Sequence, residues 1–428
     1  MKTLLQGLCV LAALAAAGLL AVAAGLFQPA DDPGPPATTA AAGTTTDRRV
    51  ARGAYLARAG DCMACHTVRG GQPYAGGRTI ETSFGALVTP NITPHPATGI
   101  GTWSADDFWR ALHHGTGKNG RLLYPAFPYT NYTRITRDDA DALYAWLRTL
   151  QPVQQANQAH RLRFPYNQQW ALSLWRALYF RPGVYRSDTQ QSVDWNRGAY
   201  LVRGLGHCSA CHSPRNWLGA DSEQLSGALL DGPGWYAPAL DAGISPGKDQ
   251  LVTLLKTGVA PHATVSGPMA EVVRESLQYL NDADLGAMAT YLGSLPAGDG
   301  AGARPAQPAL EAQAVAWLAA GARLYEQHCV ACHGAGGAGQ PPHYPPLAGN
   351  RALTQETAVN PIRLVLNGGF PPATAGNPRP YGMPPFGHVL DDTEVAQLVS
   401  YLRSAWNHRA APVTAAEVNR YRAVPLDQ

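Results

Sequence analysis

Three copies of one five-residue pattern, Cys-x-x-Cys-His, constrain this chain of 428 residues more than any other feature. The copies, with their cysteines and histidine, are CMACH (Cys62, Cys65, His66), CSACH (Cys208, Cys211, His212) and CVACH (Cys329, Cys332, His333). This spacing is the attachment signature of c-type haem (heme c), in which two thiols bond to the two vinyl groups on one edge of the porphyrin. The histidine that follows lies beneath the ring and binds the iron. The sequence therefore predicts three covalently attached haems, which use every cysteine except Cys9.

Two other interpretations of a Cys-x-x-Cys pair account for the sequence less well. A structural zinc site needs a second pair of ligands in the same domain, and no further cysteine accompanies any of the three pairs. A thioredoxin-like redox pair does not need the histidine that follows each pair here. Three identical motifs in one chain therefore favour haem over zinc or disulfide chemistry.

The similarity between the three copies extends upstream of the cysteines, which indicates an internal repeat. RGAYLARAGDCMACHT begins at Arg52, RGAYLVRGLGHCSACHS begins at Arg197, and the looser AGARLYEQHCVACHG begins at Ala320. Each stretch predicts a helix that runs into a haem loop. The three helices share a glycine at the matching position: Gly53, Gly198 and Gly321. Because a glycine inside a helix costs about 1 kcal/mol relative to alanine, we expect a second helix to pack closely against it.

That second helix is also present three times, in TRDDADALYAWLRTL, NDADLGAMATYLGSL and DDTEVAQLVSYLRSAW. Each segment opens with a capping pair in which an acid lies three residues after the cap: Thr136 with Asp139, Asn281 with Asp284, and Asp391 with Glu394. Each then carries an aromatic–leucine pair on one face: Trp146–Leu147, Tyr291–Leu292 and Tyr401–Leu402. An opening helix, a haem loop and a closing helix that crosses the first make up the small cytochrome c unit. The predicted fold is therefore all-α, with three tandem cytochrome c domains after an N-terminal signal or anchor helix.

The sequence divides into eight predicted segments. They are a signal peptide or membrane anchor (1–27), a linker (28–46), cytochrome c domain 1 (47–152), an aromatic-rich linker (153–190), cytochrome c domain 2 (191–296), a linker (297–308), cytochrome c domain 3 (309–408) and a tail (409–428). We refer to the three predicted domains, as ranges of sequence, as domains 1, 2 and 3. The apolar part of the aromatic-rich linker is too short to cross a bilayer. Its Trp and Tyr residues suit a protein interface or a membrane interface, but we favour packing against domains 1 and 2.

The first residues of the chain predict export. Lys2 precedes an apolar run from Leu4 to Phe27 that is interrupted only by Gln6, and a positive start followed by an apolar stretch is typical of a signal. The run is long enough to span a bilayer, which favours an uncleaved anchor, although the small residues of AVAAG would permit cleavage. We therefore expect the protein on the periplasmic side of the bacterial inner membrane, anchored or peripherally attached. A net charge of +3 indicates no nucleic-acid partner.

Longer phrases of the exported part match a known family. They run through all three domains and are GDCMACHT, TPNITPHPATGIGTWS, RGAYLVRGLGHCSACHSPRN, GWYAPAL, SGPMAEVV, QYLNDADLGAMATYL and YPPLAGN. On these phrases the chain resembles the triheme cytochrome c subunits of bacterial membrane-bound alcohol, gluconate and aldehyde dehydrogenases. The resemblance implies an electron-transfer subunit and not an enzyme. Such a subunit passes electrons from a partner dehydrogenase, of molybdenum, quinoprotein or flavin type, to ubiquinone or a terminal oxidase at the membrane.

A haem of this kind usually carries a methionine opposite the histidine. In domain 2 the predicted ligand is Met269, which follows Pro268 in a loop, whereas Met288 lies at helical spacing with leucines and is expected in the core. In domain 3 the predicted ligand is Met383. On the other side of each iron, the second ring nitrogen of the histidine is expected to donate to a backbone carbonyl. The candidates for that carbonyl are Pro90, Pro238 and Pro346.

Domain 1 departs from this pattern at Phe127, in the phrase YPAFPY. Phe127 follows its haem histidine by 61 residues, where Met269 follows by 57 and Met383 by 50. Phenylalanine has no lone pair, so the iron of domain 1 is either open and shielded by Phe127 or bound by a substitute ligand. The candidate substitutes, in order of preference, are His114, His113 and His95. In the family, this phenylalanine looks more like the subunits that serve molybdenum-containing aldehyde oxidisers.

If the iron of domain 1 is open, it could bind a substrate, so an enzyme is the alternative function. A multihaem peroxidase or reductase would use the haem of domain 1 as its site. The sequence shows no Ser/His/Asp set, phosphate-binding loop or pair of pocket carboxylates, so we assign no catalytic residue.

Overall fold

The computed structural model describes residues 45–230, 234–241, 247–296 and 312–424. These residues form two compact units. Unit 1 contains the described residues up to Ser187 together with the segments 203–207 and 216–220, and unit 2 contains the rest. The predicted anchor and the linker 297–308 lie outside the described residues. Within the described ranges, every helix is too short or too polar to cross a bilayer.

Unit 1 is built mainly from helices, and a small antiparallel sheet accompanies them. The helices are Thr45–Ala59, Cys62–His66, Ala105–His114, Tyr129–Tyr132, Arg137–Leu147 and Gln169–Tyr179. The sheet has three strands in the order β1 (Thr79–Thr82), β2 (Gly85–Val88) and β3 (Arg161–Leu162). The all-α prediction is correct for the dominant class and missed this sheet. Strands of two to four residues are too short for a period-2 pattern to stand out in the sequence.

Unit 2 repeats the helical pattern. Its helices are Val193–Tyr200, Ser209–His212, Lys248–Thr257, Pro268–Glu275, Asp282–Gly293, Ala312–His328, Val330–His333, Arg351–Thr354, Val359–Asn367, Asp392–Ser404 and Ala415–Arg422. Two strand pairs, each of two-residue strands, accompany them: Ala228–Leu229 with Tyr236–Ala237, and Val259–Ala260 with Ala263–Thr264. The opening helix of each sequence repeat packs against its closing helix.

The close helix contact predicted at the repeated glycines is confirmed. A Cβ atom added at the glycine would lie far too close to a carbonyl oxygen of the closing helix in each case: 1.9 Å from Ala142 at Gly53, 2.0 Å from Ala287 at Gly198, and 2.1 Å from Gln397 at Gly321. Real Cβ atoms do not approach an oxygen below 3 Å. Glycine is therefore required for the two backbones to touch.

This contact leads to a stability prediction. Gly198→Ala is expected to destabilise the protein by about 3 kcal/mol, because the carbonyl of Ala287 is backbone and cannot move without shifting the closing helix. Gly293→Ala is the matched control, since an added Cβ there meets nothing within 4 Å and alanine favours the helix by up to about 1 kcal/mol. Denaturant unfolding would measure both. Equal midpoints for the two variants would contradict the packing argument.

The predicted caps of the closing helices are present. The backbone N–H of Asp139 donates to the Thr136 hydroxyl (3.2 Å), and that of Asp284 donates to the Asn281 side chain (2.8 Å). In domain 3, Asp391 and Glu394 form a full capping box. All three caps satisfy backbone donors that the first turn of a helix leaves without an intrahelical acceptor.

The acids of the first two caps also hold the opening helix. Arg52 donates to Asp139 at 2.5 Å, and Arg197 donates to both carboxylate oxygens of Asp284 at 2.7 Å. The matching position in domain 3 is Ala320. The ion pair therefore fixes the two helices in domains 1 and 2, one residue before the glycine contact.

The aromatic-rich linker forms the helix Gln169–Tyr179 and packs within unit 1. The guanidinium of Arg176 lies over the rings of Tyr129 (5.2 Å) and Phe180 (4.8 Å). The indole N–H of Trp175 donates to the carbonyl of Leu218 at 2.9 Å. These contacts hold Trp175 and Phe180 in unit 1, whereas Phe164, Trp170 and Tyr179 are exposed.

Candidate haem sites

Each motif histidine ends a short helix and makes the same hydrogen bond. Its Nδ1 lies against a proline carbonyl: 2.8 Å from Pro90 for His66, 2.6 Å from Pro238 for His212, and 2.9 Å from Pro345 for His333. A carbonyl can only accept, so Nδ1 carries the hydrogen and Nε2 keeps its lone pair. The three histidines are thus held in the tautomer that binds a metal through Nε2.

Two of the three predicted carbonyls are confirmed, and the prediction of Pro346 is wrong. Pro345 takes that place, while the carbonyl of Pro346 accepts from the side chain of Asn350 at 3.0 Å. The two prolines are adjacent in YPPLAG. Which of two neighbouring carbonyls points inward depends on the turn, and the sequence does not specify it.

Burial shifts the titratable groups of the motifs. It lowers the pKa of His66, His212 and His333, so the neutral, metal-binding form prevails. It raises the pKa of Cys62 and Cys208 to about 12, which keeps these thiols protonated at neutral pH. Reactive redox pairs have lowered thiol pKa values, so these surroundings do not support the redox-pair interpretation.

One further glycine holds each motif, and these three glycines were not identified from the sequence. The backbone N–H of Gly76, Gly227 and Gly339 donates to the carbonyl of the motif histidine at 2.8 Å, 2.8 Å and 2.9 Å, respectively. All three have positive φ (75°, 86° and 63°), which glycine adopts without strain. They follow the histidine by 10, 15 and 6 residues. Because this spacing differs between the repeats, alignment of the three motifs does not reveal them.

Apolar side chains pack beside the motifs of domains 1 and 3, as a porphyrin requires. In domain 1 the cluster around Cys62 consists of Met63, Tyr74, Ile92, Ile100, Trp103, Phe108, Tyr144, Trp146, Leu147 and Leu150. In domain 3, Cys329 belongs to the buried cluster against which Met383 packs. Thiols, a neutral imidazole and an apolar wall are the groups that a covalently attached haem needs, so the residues present fit it.

The two predicted methionine ligands, Met269 and Met383, are half-buried, whereas Met288 is buried. Met288 is 3% exposed within the closing helix Asp282–Gly293, which confirms it as a core residue. Met383 exchanges two backbone hydrogen bonds with Gly369, at 2.8 Å and 3.0 Å. Met269 lies in the first turn of the helix Pro268–Glu275. Their binding of iron stays a prediction.

Backbone hydrogen bonds place Phe127 at the position of Met269. The N–H of Leu123 donates to the carbonyl of Gly115 (2.8 Å), and the N–H of Val265 donates to that of Gly258 (2.9 Å). Each glycine caps the preceding helix in the left-handed conformation. Phe127 lies four residues after the first of these donors, and Met269 lies four residues after the second. The two loops therefore have the same register.

Phe127 and the three histidines predicted as substitute iron ligands each contact other residues of domain 1. The Phe127 ring lies edge-on to Tyr132 at 5.4 Å. His113 is fully buried, stacks on Trp109 at 4.4 Å, and donates from Nδ1 to the carbonyl of Thr133 at 2.8 Å. His114 lies edge-on to His113, and His95 bonds through Nδ1 to Thr98 within its own loop. Ligation by any of these histidines stays a prediction.

Comparison with known proteins agrees with the motifs. The family described as Cytochrome c matches residues 50–151 and 318–406. The gluconate 2-dehydrogenase cytochrome c subunit of Pantoea cypripedii is 40% identical over 400 residues, which cover 88% of this chain and 90% of that protein. The cytochrome c subunit of the quinone-type alcohol dehydrogenase of Gluconobacter oxydans is 36% identical over 395 residues, or 87% and 82% of the two chains. One chain of the nicotinate dehydrogenase of Pseudomonas putida is 41% identical over 401 residues, but the present protein spans only 33% of it.

Proposed function

The chain belongs to the cytochrome c subunits of dehydrogenase complexes, and we propose that it carries electrons through three covalently attached haems in three tandem domains. Haems 1, 2 and 3 are attached at the cysteine pairs of domains 1, 2 and 3. His66, His212 and His333 would bind the irons of the three haems, and Met269 and Met383 would provide a further ligand to haems 2 and 3. The observation that carries the proposal is the hydrogen bond from each of the three histidines to a proline carbonyl.

When bound, each haem supplies an iron that accepts and returns one electron. The protein residues set how readily it does so. The proline carbonyls hold each imidazole in one tautomer and make it more basic. A methionine thioether favours ferrous iron and raises the potential of the haem that it binds. In domain 1 the half-buried Phe127 stands where the thioether would be, so haem 1 is high-spin or weakly ligated in this proposal.

The partners follow from the same family membership. A dehydrogenase catalytic subunit, with molybdenum, a quinone cofactor or flavin, would oxidise the substrate, and this chain would transfer the electrons to ubiquinone or a terminal oxidase. The relatives from Pantoea cypripedii and Gluconobacter oxydans are named as cytochrome c subunits, which does not favour the peroxidase or reductase alternative. The proposed location is the periplasmic side of the inner membrane, with residues 1–27 as signal or anchor. Purifying the tagged chain from membranes and identifying the bound dehydrogenase chain and its cofactor tests this part of the proposal.

The haem count is the first test of the site assignments. Intact mass and haem-stained denaturing gels are expected to show three covalent haems on the protein, because each motif provides two thiols and a histidine. The double variant Cys208→Ser/Cys211→Ser should carry two haems. Cys9→Ser is the control and should keep three, since Cys9 lies outside the motifs. A mass that shows two haems on the unsubstituted protein would contradict the three-haem relay.

A further inference from the structure

The carbonyl that orients His212 lies in a segment of domain 2 that side chains from domain 3 hold on both sides. His212, this segment and the described residues of domain 3 all belong to unit 2. The segment is WYAPALD, residues 235–241. Pro238, near its middle, accepts the hydrogen bond from His212 at 2.6 Å. Any displacement of this segment changes the hydrogen bond that sets the basicity of the predicted haem ligand.

Asn360 fixes the segment two residues before Pro238. Its side-chain oxygen accepts from the backbone N–H of Tyr236 (2.9 Å), and its side-chain nitrogen donates to the carbonyl of the same residue (2.8 Å). Both bonds go to backbone, so they hold the path of the chain and not a single side chain. The ring of Tyr236 also packs against the buried apolar cluster of domain 3. These contacts span 124 residues of sequence.

Two arginines of domain 3 hold the remainder of the segment. Arg351 pairs with Asp241 at 3.0 Å, and Asp241 is 6% exposed. Arg363 is fully buried and lies 4.8 Å over the ring of Trp235. Tyr236 and Asp241 therefore bracket Pro238, and each is bound by domain 3.

In domains 1 and 3, the segment around the proline that accepts from the motif histidine is held by nearby residues. They belong to the linker that follows domain 1, or to domain 3 itself. After Pro90, the side chain of Asn91 donates to the carbonyl of Val153 (2.8 Å), and its backbone N–H donates to the side chain of Asn157 (2.7 Å). Beside Pro345, the side chain of Asn350 donates to the carbonyl of Pro346 at 3.0 Å. In domain 2 the segment pairs as a strand with Ala228–Leu229 of its own domain, and it also receives side-chain hydrogen bonds and an ion pair from the next domain along the chain.

The helix that provides Asn360 also reaches the ligand loop of domain 3. This helix, Val359–Asn367, ends at Gly368, and the next residue, Gly369, exchanges two backbone hydrogen bonds with Met383. The first turn of the helix thus holds the segment that orients His212 in domain 2. The residues that follow its last turn hold the backbone of Met383 in domain 3.

We propose that Asn360 is a positioning residue for haem 2, so that domain 3 sets the potential of a haem that it does not carry. This inference rests on the proposed function. The two hydrogen bonds between Asn360 and the backbone of Tyr236 keep Pro238 within reach of His212. The hydrogen bond from His212 to Pro238 makes the imidazole a stronger electron donor to the iron, which favours ferric iron. Loss of the bond raises the potential of haem 2.

The test is potentiometric titration of the full-length protein with the matched variants Asn360→Leu and Asn350→Leu. Asn360→Leu should raise the midpoint potential of one step of the titration. The same step should have its midpoint potential lowered by Met269→Leu. Asn350→Leu removes the hydrogen bond to the carbonyl of Pro346, beside Pro345 in domain 3, and should shift the potential of a different haem. Asn360→Asp keeps the acceptor for the Tyr236 N–H and should move the haem 2 step less than leucine does.

Several results would separate this inference from the function on which it rests. A chain with fewer than three haems would overturn the proposed function itself. Three haems, with the haem 2 step unchanged by Asn360→Leu or with both asparagine variants moving the same step, would overturn only the role of Asn360. Thermal unfolding of the same samples distinguishes a shift in a folded protein from general loss of structure, and equal shifts of all three steps would also count against the inference.

Discussion

Met269→Leu is expected to lower the potential of haem 2 by on the order of 0.1 V and to leave the other two haems nearly unchanged. Leucine has almost the volume of methionine but no sulfur, so the change removes an iron ligand and little packing. Met383→Leu should do the same to haem 3. Optical redox titration of each variant, followed by low-temperature magnetic resonance of the oxidised protein, would measure both effects.

The control for these two variants is Met288→Leu. Met288 is 3% exposed in the closing helix of domain 2, so leucine should preserve the core and every potential. A shift for Met288→Leu as large as that for Met269→Leu would show that the ligand of domain 2 is wrongly assigned. The comparison is informative because both residues lie in the same domain and receive the same substitution.

Phe127→Met is expected to convert haem 1 into a histidine–methionine centre and to raise its potential by on the order of 0.1 V. The reason is the shared register, since Phe127 and Met269 each lie four residues after a donor to a helix-capping glycine. A thioether at this position would occupy the place that it has in domain 2. Magnetic resonance of the oxidised protein should show a high-spin signal replaced by a low-spin one.

Phe127→Leu is the control for this conversion, because leucine changes the shape of the site without adding a ligand atom. It should leave the spin state of haem 1 unchanged. The competing possibility is ligation by a histidine of domain 1. Three low-spin signals in the unsubstituted protein, one of which disappears in His114→Ala, would establish that possibility and contradict the open site.

Local patterns in the sequence were sufficient for the parts of the site that depend on neighbouring residues. The motif cysteines and the histidine lie within five consecutive positions, and each cap of a closing helix joins residues three apart, so these features are readable without tertiary structure. The glycines of the opening helices were also readable, because a helix-interior glycine has a cost that only close packing explains. The contacts of Gly53 and Gly198 with backbone oxygens confirm that reasoning.

Other parts of the site depend on how distant segments meet. The choice of Pro345 over Pro346 depends on which of two adjacent carbonyls the turn directs inward. The supporting glycines Gly76, Gly227 and Gly339 follow their histidines at unequal distances, and so no repeat pattern marks them.

By itself, the sequence determined the three attachment motifs, the paired helices around them and the membership of a cytochrome family. The tertiary structure decided which carbonyl orients each histidine, and that Phe127 has the register of Met269. It also decided that Asn360 supports a segment of another domain. The physical reason is that covalent attachment, helix capping and helix packing are encoded in short, regular spacings. The hydrogen bonds that tune a site join backbone groups far apart in the chain, and every residue type offers the same backbone groups.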